Sequence, residues 1–366
     1  MKINLSELGS EYWLDENISI RLSDDIITPN WLQCSSMSSL LLFSGRTAID
    51  FILSDIEKER VIQNAYMPSY CCGSMLAPFL KRGIGIQYYD VVYDSQFGIK
   101  PRIDENVDCD ILFILDYFGF IISDSNLLKY FKNKGSIVVE DRTHSIFSKS
   151  SISEFVHYSF ASLRKWFGVL SGAIIYKQGD LGDKEVLCAP SYVSLKYDAM
   201  KLKCNYLKNI GYVDKSRYLL LFSQFNQNLY SDYCNYSIDI LSSHILNAID
   251  INHLKERRRE NAFFLYEGLS EIRCIKPIFK NVKEDVCPLF LPVLVENGLR
   301  DKLVSFLKLY QIYCPVHWQI SDVIKLNDNT RYLYENELSL LCDQRYGIEQ
   351  MRTILSALKE FDSKIY

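Results

Sequence analysis

Two stretches of the chain decide its fold: residues 110–115 read DILFIL, and residues 136–140 read SIVVE. Both contain apolar runs without alternation, and each run is bounded by polar or charged residues. A continuously apolar strand is covered on both faces, which is typical of the central strands of a mainly parallel sheet. The two stretches therefore predict the centre of an α/β domain.

Further apolar runs of strand length occur on either side of this pair, at 61–67, 85–92 and 172–176. Helical patterns separate the runs, and strands that alternate with helices are typical of α/β proteins. In open sheets of this kind, ligands bind outside the carboxyl ends of the strands. Polar residues that directly follow the predicted strands are therefore candidates for a functional site.

The pattern changes after residue 176, where longer helical stretches replace the alternation of strand and helix. An amphipathic stretch over 252–269 predicts a long helix that leads into a second domain. That domain is predicted to contain strands at 287–295 and 312–316 and helices at 300–310 and 348–361. We expect a large α/β domain over 1–249, which includes an N-terminal extension, and a small α+β domain over 250–366.

The composition is that of an ordinary globular protein, with 366 residues, 48% hydrophobic and 23% charged, and a formal net charge of −4. This balance offers no broad basic footprint for a nucleic acid. No run of about 18 apolar residues predicts a membrane span. The first twenty residues carry charges throughout and lack the apolar stretch of a secretory signal. We therefore expect a cytoplasmic protein with neither nucleic acid nor membrane as a partner.

Cysteine and histidine lack the spacings of a metal site. The chain has eleven cysteines and five histidines, but it contains no C-x-x-C and no H-x-x-x-H pair. Such pairs are typical of structural and catalytic zinc sites. Scattered cysteines in odd number favour buried thiols over a disulfide scaffold. We expect no metal.

The first candidate segment is FSGRTA at 43–48, which leads into a predicted helix. Small residues at a helix start expose backbone N–H groups, and these bind phosphate well because the helix dipole adds to their positive charge. An ordinary Ser or Gly cap explains the same pattern. Both interpretations stay open at this point.

The second candidate segment is EDRTH at 140–144, at the end of a predicted strand. A carboxylate at that position can fix a cationic ring nitrogen by a charge-assisted hydrogen bond. His144 would lie nearby on the same turn. A helix cap is the alternative role for Asp141.

The third candidate segment is YSFASLRKWF at 158–167, where Lys165 stands between Arg164 and Trp166. The flanking apolar groups should draw this lysine toward a dry site. A desolvated lysine beside another cation loses proton affinity, as an imine-forming amine requires. Arg164 stays protonated, so Lys165 is the predicted nucleophile.

In the order SGRTA, PSYCC (68–72), DYFG (116–119), EDRTH and SFASLRKWF, this chain resembles the DegT/DnrJ/EryC1/StrS family of pyridoxal-phosphate (PLP)-dependent aminotransferases. Three C-terminal segments are also similar to the family: KERRRENAFFLYEGL, CPVHW and LLCDQRYG. The resemblance implies a fold-type-I homodimer. Each subunit would have a large three-layer α/β domain with a mainly parallel sheet and a small α+β C-terminal domain.

The resemblance also implies a role for each matching residue. Lys165 would hold the cofactor as an imine and shuttle a proton, and Asp141 would pair with the pyridinium nitrogen and tune the cofactor's electronics. His144 would lie beside the ring hydroxyl. The residues that match the phosphate-binding loop, and a hydroxyl that assists it, are Gly45, Arg46, Thr47 and Ser162.

Several positions depart from the family pattern. Cys72 stands where the family generally has an aromatic residue stacked on the cofactor, so either the thiol covers the ring less tightly or Tyr70 takes that role. The glycine-rich stretch after the lysine is replaced by 168–172, and one extra residue separates Phe160 from Lys165. His317 and Trp318 follow a predicted strand and fit either packing of the small domain or substrate contact.

The resemblance implies transfer of an amino group from an amino acid, with L-glutamate expected, to a keto sugar carried on a nucleotide. This activity would belong to the synthesis of a surface polysaccharide or a glycosylated metabolite. Another reaction on the same cofactor is an alternative, although a dehydratase of this family has histidine in place of the lysine, which favours transamination here. A non-catalytic binding or regulatory protein of the same fold is the other alternative.

Overall fold

A computed structural model describes residues 7–15, 23, 25–122, 124–149, 152–182, 185–209, 213–324 and 326–366. Much of the N-terminal stretch that bears on a secretory signal lies outside these residues. Within the described ranges, no helix is both long and apolar enough to cross a bilayer. All eleven cysteines lie in the described part of the chain, and none forms a disulfide.

The elements are numbered in chain order. Strands of the described chain are Leu8–Gly9 (β1), Ser38–Leu42 (β2), Asn64–Pro68 (β3), Gly85–Asp94 (β4), Gly98–Arg102 (β5), Ile111–Leu115 (β6), Ile137–Asp141 (β7), Tyr158–Ser162 (β8), Ala173–Lys177 (β9), Lys276–Pro277 (β10), Leu291–Leu294 (β11), Ile312–Tyr313 (β12) and Glu337–Leu340 (β13). Helices are Gly45–Ile56 (α1), Gly73–Lys81 (α2), Ser125–Asn133 (α3), Val193–Lys208 (α4), Lys215–Ser231 (α5), Ile240–Asn247 (α6), Ile251–Gly268 (α7), Arg300–Leu309 (α8), Asp328–Asn336 (α9) and Ile348–Ile365 (α10).

The described residues group into two compact units. The first comprises 11–61 and 158–250, and the second comprises 7–10, 62–157 and 251–366. The cut after residue 250 agrees with the expected domain boundary. Residues 62–157, however, group with the C-terminal segment and not with the rest of the expected large domain. The division into 1–249 and 250–366 therefore stays a prediction.

In the first unit, β2, β9 and β8 form antiparallel pairs in that order. Leu42 and Ser162 both lie opposite Ala173, at neighbouring positions of the same sheet edge. Helix α1 packs on β8 and β9 through apolar residues such as Phe51 and Ile52, both nearly fully buried. The start of α1 and the end of β8 thus come together, which brings two candidate segments into contact.

In the second unit, the strands follow the order β7-β6-β3-β4-β5. The pairs among β7, β6, β3 and β4 are parallel, and only β5 runs antiparallel to its neighbour β4. Every residue of β6 is buried, as is β7 from Val138 to Asp141. The predicted α/β class with a mainly parallel sheet is therefore confirmed, and its centre lies at the two predicted stretches.

The C-terminal part of the second unit contains the predicted long helix α7 and the closing helix α10, which pack on each other. A small antiparallel sheet follows the order β10-β11-β13. The strand predicted over 287–295 is shorter in the structure, at Leu291–Leu294. Pro288 lacks the N–H that a sheet ladder needs, in agreement with the later start of this strand.

Gly119, the last residue of the DYFG motif, is required by a close approach of two backbone segments. Its φ is +104°, and an added Cβ would lie 2.3 Å from the carbonyl oxygen of Cys287. Gly135 has a similar φ of +96°, but nothing lies within 4 Å of an added Cβ there. A residue with a side chain would therefore have a strained backbone at both positions, but only at position 119 would its Cβ also clash with a neighbour.

Gly119→Ala is expected to lower the free energy of unfolding by about 2 kcal/mol more than Gly135→Ala does. The physical reason is the overlap with Cys287, which only the first variant suffers. Urea denaturation of both variants and the wild type measures this difference. Equal losses would show that positive φ alone, and not the close approach, requires glycine at 119.

Candidate active site

The predicted site residues fall into two groups, one in each compact unit, and each group has its own geometry. The first unit holds Gly45, Arg46, Thr47, Ser162 and Lys165. The second unit holds the remaining predicted residues, which are Tyr70, Cys72, Asp141, His144, His317 and Trp318.

Helix α1 begins with a capped turn that can receive an anion. Ser44 is the N-cap, and its Oγ accepts a hydrogen bond of 3.1 Å from the Thr47 N–H. The hydroxyls of Ser44 and Thr47 also lie 2.8 Å apart. An added Cβ on Gly45 would lie 3.2 Å from the Cβ of Ser162. Glycine therefore keeps open the space between the start of α1 and Ser162, which we call the corner. The positive end of the helix dipole faces the same corner.

The side chain of Arg46 does not point into this corner. Its Nη1 donates a 2.6 Å hydrogen bond to the carbonyl of Leu229, near the end of α5. Its guanidinium lies 5.3 Å from the ring centroids of both Tyr230 and Tyr233. Only the backbone of Arg46 therefore belongs to the start of α1.

Lys165 ends a short 3₁₀ turn over Leu163–Lys165 that directly follows β8. Leu163 and Trp166 are fully buried, whereas Lys165 is exposed and forms no ion pair with the described part of the chain. With about three residues per turn, positions 163 and 166 face the core together and position 165 faces away. The expectation that aromatic neighbours draw Lys165 into a dry site is therefore wrong for this chain.

A buried lysine does occur nearby, at a position that the sequence reasoning missed. Lys196 of α4 is 6% exposed and donates a 2.8 Å hydrogen bond to the carbonyl of Val169. Burial, reinforced by the charge of Arg164, lowers the pKa of Lys196 to about 7. The signal was present in the sequence, because Lys196 and Lys203 occupy the same helix face as the buried Ala199 and Met200.

In the second unit, Asp141 ends β7 with only 3% of its surface exposed. Its Oδ1 accepts a 2.8 Å hydrogen bond from the Thr143 N–H. Leu115, the last residue of β6, is its parallel partner. The structure thus places a carboxylate at the carboxyl end of a central strand, where ligands of open α/β sheets bind.

His144 lies within a cluster of aromatic rings. Its Nδ1 accepts a 3.2 Å hydrogen bond from the Phe118 N–H, which assigns an unprotonated Nδ1 and leaves the proton of a neutral ring on Nε2. Its ring stacks on that of Trp318, with centroids 5.6 Å apart and an interplanar angle of 23°. His317 meets it edge-on at 5.6 Å.

Tyr70 belongs to the same cluster, whereas Cys72 does not. Tyr70 is fully buried, stacks on Tyr117 at 5.5 Å and meets Trp318 edge-on at 5.1 Å. Its hydroxyl donates to the carbonyl of His317. Cys72 is half-buried at the start of α2, with its Sγ 3.1 Å from Ser74 Oγ. Tyr70 therefore belongs to the aromatic cluster and Cys72 does not, and the role of either residue beside a cofactor stays a prediction.

The turn at His317 is held by a carboxyl group that the sequence reasoning also missed. Glu337 is fully buried, and its Oε2 accepts a 2.7 Å hydrogen bond from the His317 N–H. Its Oε1 accepts a 2.5 Å bond from Ser339, whose Oγ lies 2.8 Å from His317 Nδ1. Burial raises the pKa of Glu337 to about 8.

The raised pKa of Glu337 predicts a pH-dependent stability. The native state keeps this proton better than the unfolded state, so the contribution is complete below about pH 4.5 and is lost as pH rises through about 8. Glu337→Gln cannot titrate and still offers an acceptor to His317. Between pH 5.5 and 7.5 it should remove a fall of about 1 kcal/mol per pH unit in the free energy of unfolding.

Urea denaturation at a series of pH values measures this slope. Glu335→Gln, at an exposed position of α9 two residues before Glu337, is the matched control and should keep the wild-type slope. If Glu337→Gln also keeps it, then Glu337 is ionised in the native state and the interpretation is wrong.

No family model and no curated protein matches this chain, but solved structures of the same fold do. Spr1654 from Streptococcus pneumoniae, in its PLP-form, is 13% identical with a TM-score of 0.63, covering 90% of this chain and 88% of its own. DesI in the presence of its TDP-sugar product is 12% identical with a TM-score of 0.59, covering 87% and 79%. A DegT DnrJ EryC1 StrS aminotransferase from Brucella abortus is 14% identical with a TM-score of 0.59, covering 88% and 86%. At these identities the similarity establishes the fold, and the chain has the fold-type-I architecture of the aminotransferases that its motifs resemble.

Proposed function

We propose that this protein is a PLP-dependent aminotransferase that moves an amino group from an amino acid, with L-glutamate as the expected donor, to a keto sugar linked to a nucleotide. The buried carboxylate of Asp141 carries this proposal, because it ends a central strand in a fold whose solved examples include aminotransferases. The TDP-sugar product of DesI supports a nucleotide-linked acceptor.

The residues present fit the cofactor. Gly45 leaves open the corner beside Ser162 that a Cβ would fill, and the capped start of α1 favours a phosphate there. Asp141 supplies a buried carboxylate suited to a protonated ring nitrogen. Lys165 supplies an accessible amine. We infer that these four residues hold the cofactor's phosphate, ring nitrogen and aldehyde carbon.

When bound, the cofactor supplies an electron sink for the electrons released at the substrate's α-carbon. Lys165 would hold the cofactor covalently and, once released as an amine, would take the proton from that carbon and return it. Asp141 would keep a proton on the ring nitrogen by a charge-assisted hydrogen bond. His144 would offer its Nε2–H to the ring hydroxyl oxygen, because its Nδ1 already accepts from Phe118.

The aromatic cluster of Tyr70, His317 and Trp318 is the proposed wall for the cofactor and the sugar. Trp318 is half-buried, so part of its ring is accessible to a ligand, whereas Tyr70 is fully covered by its neighbours. We assign Tyr70 to support Trp318. The enzyme would act as a homodimer in the synthesis of a surface polysaccharide or a glycosylated metabolite.

Two alternatives make different predictions. Another reaction on the same cofactor would use Lys165 and Asp141 but would not yield an aminated sugar. A non-catalytic protein of this fold would not take up the cofactor. The absorbance of the purified protein separates them, because an imine band that shifts on addition of glutamate requires both the cofactor and an amino donor.

Lys165→Ala is expected to abolish covalent capture of the cofactor by borohydride. Lys196→Met is the matched control: it removes the lysine with the lowered pKa from the same unit and should leave capture intact. Peptide mapping by mass spectrometry identifies the modified residue. Capture on Lys196, or capture that survives in Lys165→Ala, would contradict the assignment of the nucleophile.

Asp141→Asn is expected to keep covalent capture but to slow amino transfer by about 100-fold or more, because an amide cannot stabilise a protonated ring nitrogen as a carboxylate does. Transfer is measured by mass across a panel of keto-sugar nucleotides with glutamate as donor. Asp116→Asn is the control, since that buried carboxylate is bound by Ser145 and the Ile122 N–H. An unchanged rate in Asp141→Asn would exclude the proposed role.

A further inference from the structure

Two cations of the first unit lie against one phenyl ring. The guanidinium of Arg164, in the turn after β8, is 5.8 Å from the centroid of Phe225. The Nζ of Lys196, on α4, is 5.5 Å from the same centroid. Phe225 belongs to α5, which packs on α4. Three separate elements therefore bring two like charges close together.

These charges are poorly compensated by the chain. Arg164 Nε is fully buried and has no hydrogen-bond acceptor, and the guanidinium forms no ion pair within the described residues. The Lys196 ammonium donates a hydrogen bond to the Val169 carbonyl, which is neutral. The face of Phe225 attracts both cations, but this attraction offsets only part of the cost of their desolvation. A buried charge without hydrogen-bonded partners is costly.

The surrounding charges leave an excess of positive charge. Arg46 acts on Arg164, and Lys165 acts on Lys196. The opposing carboxylates are Glu11 and Asp239, and Asp239 already accepts hydrogen bonds from Ser171 and from the Ser242 N–H. Within the described residues, these groups add up to four cations and two carboxylates, an imbalance that one bound anion would reduce.

We propose that Arg164 and Lys196 form a binding site for an oxyanion, either a carboxylate or a phosphate group, next to Phe225. The guanidinium fork suits either group, because its N–H donors match two oxygens of one anion. Phe225 lies 6.3 Å from Phe43, which directly precedes the N-cap of α1, so this site adjoins the helix start where the proposed function places the cofactor phosphate. It does not depend on the proposed function, since binding needs neither the cofactor nor turnover.

Anion binding at this site should be linked to proton uptake. Lys196 has a pKa of about 7, and a bound anion favours its charged form, so the protein should take up as much as one proton per anion near pH 8. The affinity should fall by up to about tenfold per pH unit above pH 7. Besides Arg164, the charged groups acting on Lys196 are Glu11, Asp239 and Lys165, and burial raises the pKa of Tyr192 beside Arg164.

Titration calorimetry of the whole protein, with and without saturating PLP, tests the proposal. Pyrophosphate and succinate are the two probes, and the probe that binds identifies a phosphate or a carboxylate as the ligand group. Lys196→Met and Arg164→Met should each weaken binding by about tenfold or more, because each removes a charge-assisted contact. Replacing a buried charge by an apolar residue of similar volume is commonly neutral or stabilising, so both variants should fold.

Lys201→Met removes the same charge from the same helix and should bind like the wild type. Gly45→Ala fills the corner at the start of α1 and should also leave this anion bound. At pH 8, the enthalpy measured in buffers of different ionisation heat reports the proton uptake, which should vanish in Lys196→Met.

Three results would overturn the proposal. The first is the absence of binding of either probe to the wild type. The second is loss of binding in Gly45→Ala but not in Lys196→Met or Arg164→Met, which would assign the anion to α1. The third is a change of oligomeric state, with unchanged anion affinity, in Lys196→Met or Arg164→Met, which would assign these cations to a subunit interface. None of the three results bears on covalent capture at Lys165, so failure here and failure of the proposed function are distinguishable.

Discussion

Burial of the Asp141 carboxylate is the constraint on which the second unit's part of the site depends. Asp141 is 3% exposed at the end of an apolar strand, and a buried carboxylate is costly unless nearby groups donate hydrogen bonds to it. The chain turns directly after the strand, so that the Thr143 N–H donates to Oδ1. The same turn is closed by the Ser145 N–H bonding to the carbonyl of Arg142, and by Ser145 Oγ bonding to Asp116. The position of His144 within this turn is therefore a consequence of burying Asp141.

Residues far away in sequence complete the surroundings of His144. Trp318 stacks on it, and the Tyr70 hydroxyl donates to the carbonyl of His317 across 247 residues of chain. The loop that holds Tyr70 is itself fixed by α9, because the Tyr334 hydroxyl bonds to the Cys71 N–H and to the Ser69 carbonyl. The C-terminal segment thus sets the position of an aromatic residue that follows β3. Such coupling explains why residues 62–157 and 251–366 form one compact unit.

The sequence was informative where a pattern is local and apolar. Continuous apolar runs located β6 and β7, and amphipathic periodicity located α7 within one residue at each end. It failed at β13, because Glu337 and Ser339 are polar and look like surface residues until their buried hydrogen bonds are known. The contact of His144 with His317 could not be predicted either, because no local sequence pattern indicates which loops lie against each other.

Lys165 and Lys196, both in the first unit, show why burial alone does not identify a nucleophile. Burial lowers the pKa of Lys196, but its Nζ donates a hydrogen bond to the Val169 carbonyl and lies near Phe225. Lys165 is accessible because the 3₁₀ turn faces Leu163 and Trp166 inward and leaves the lysine outside. An amine that forms an imine must first be reached by its partner, and the ligand that covers it then excludes water.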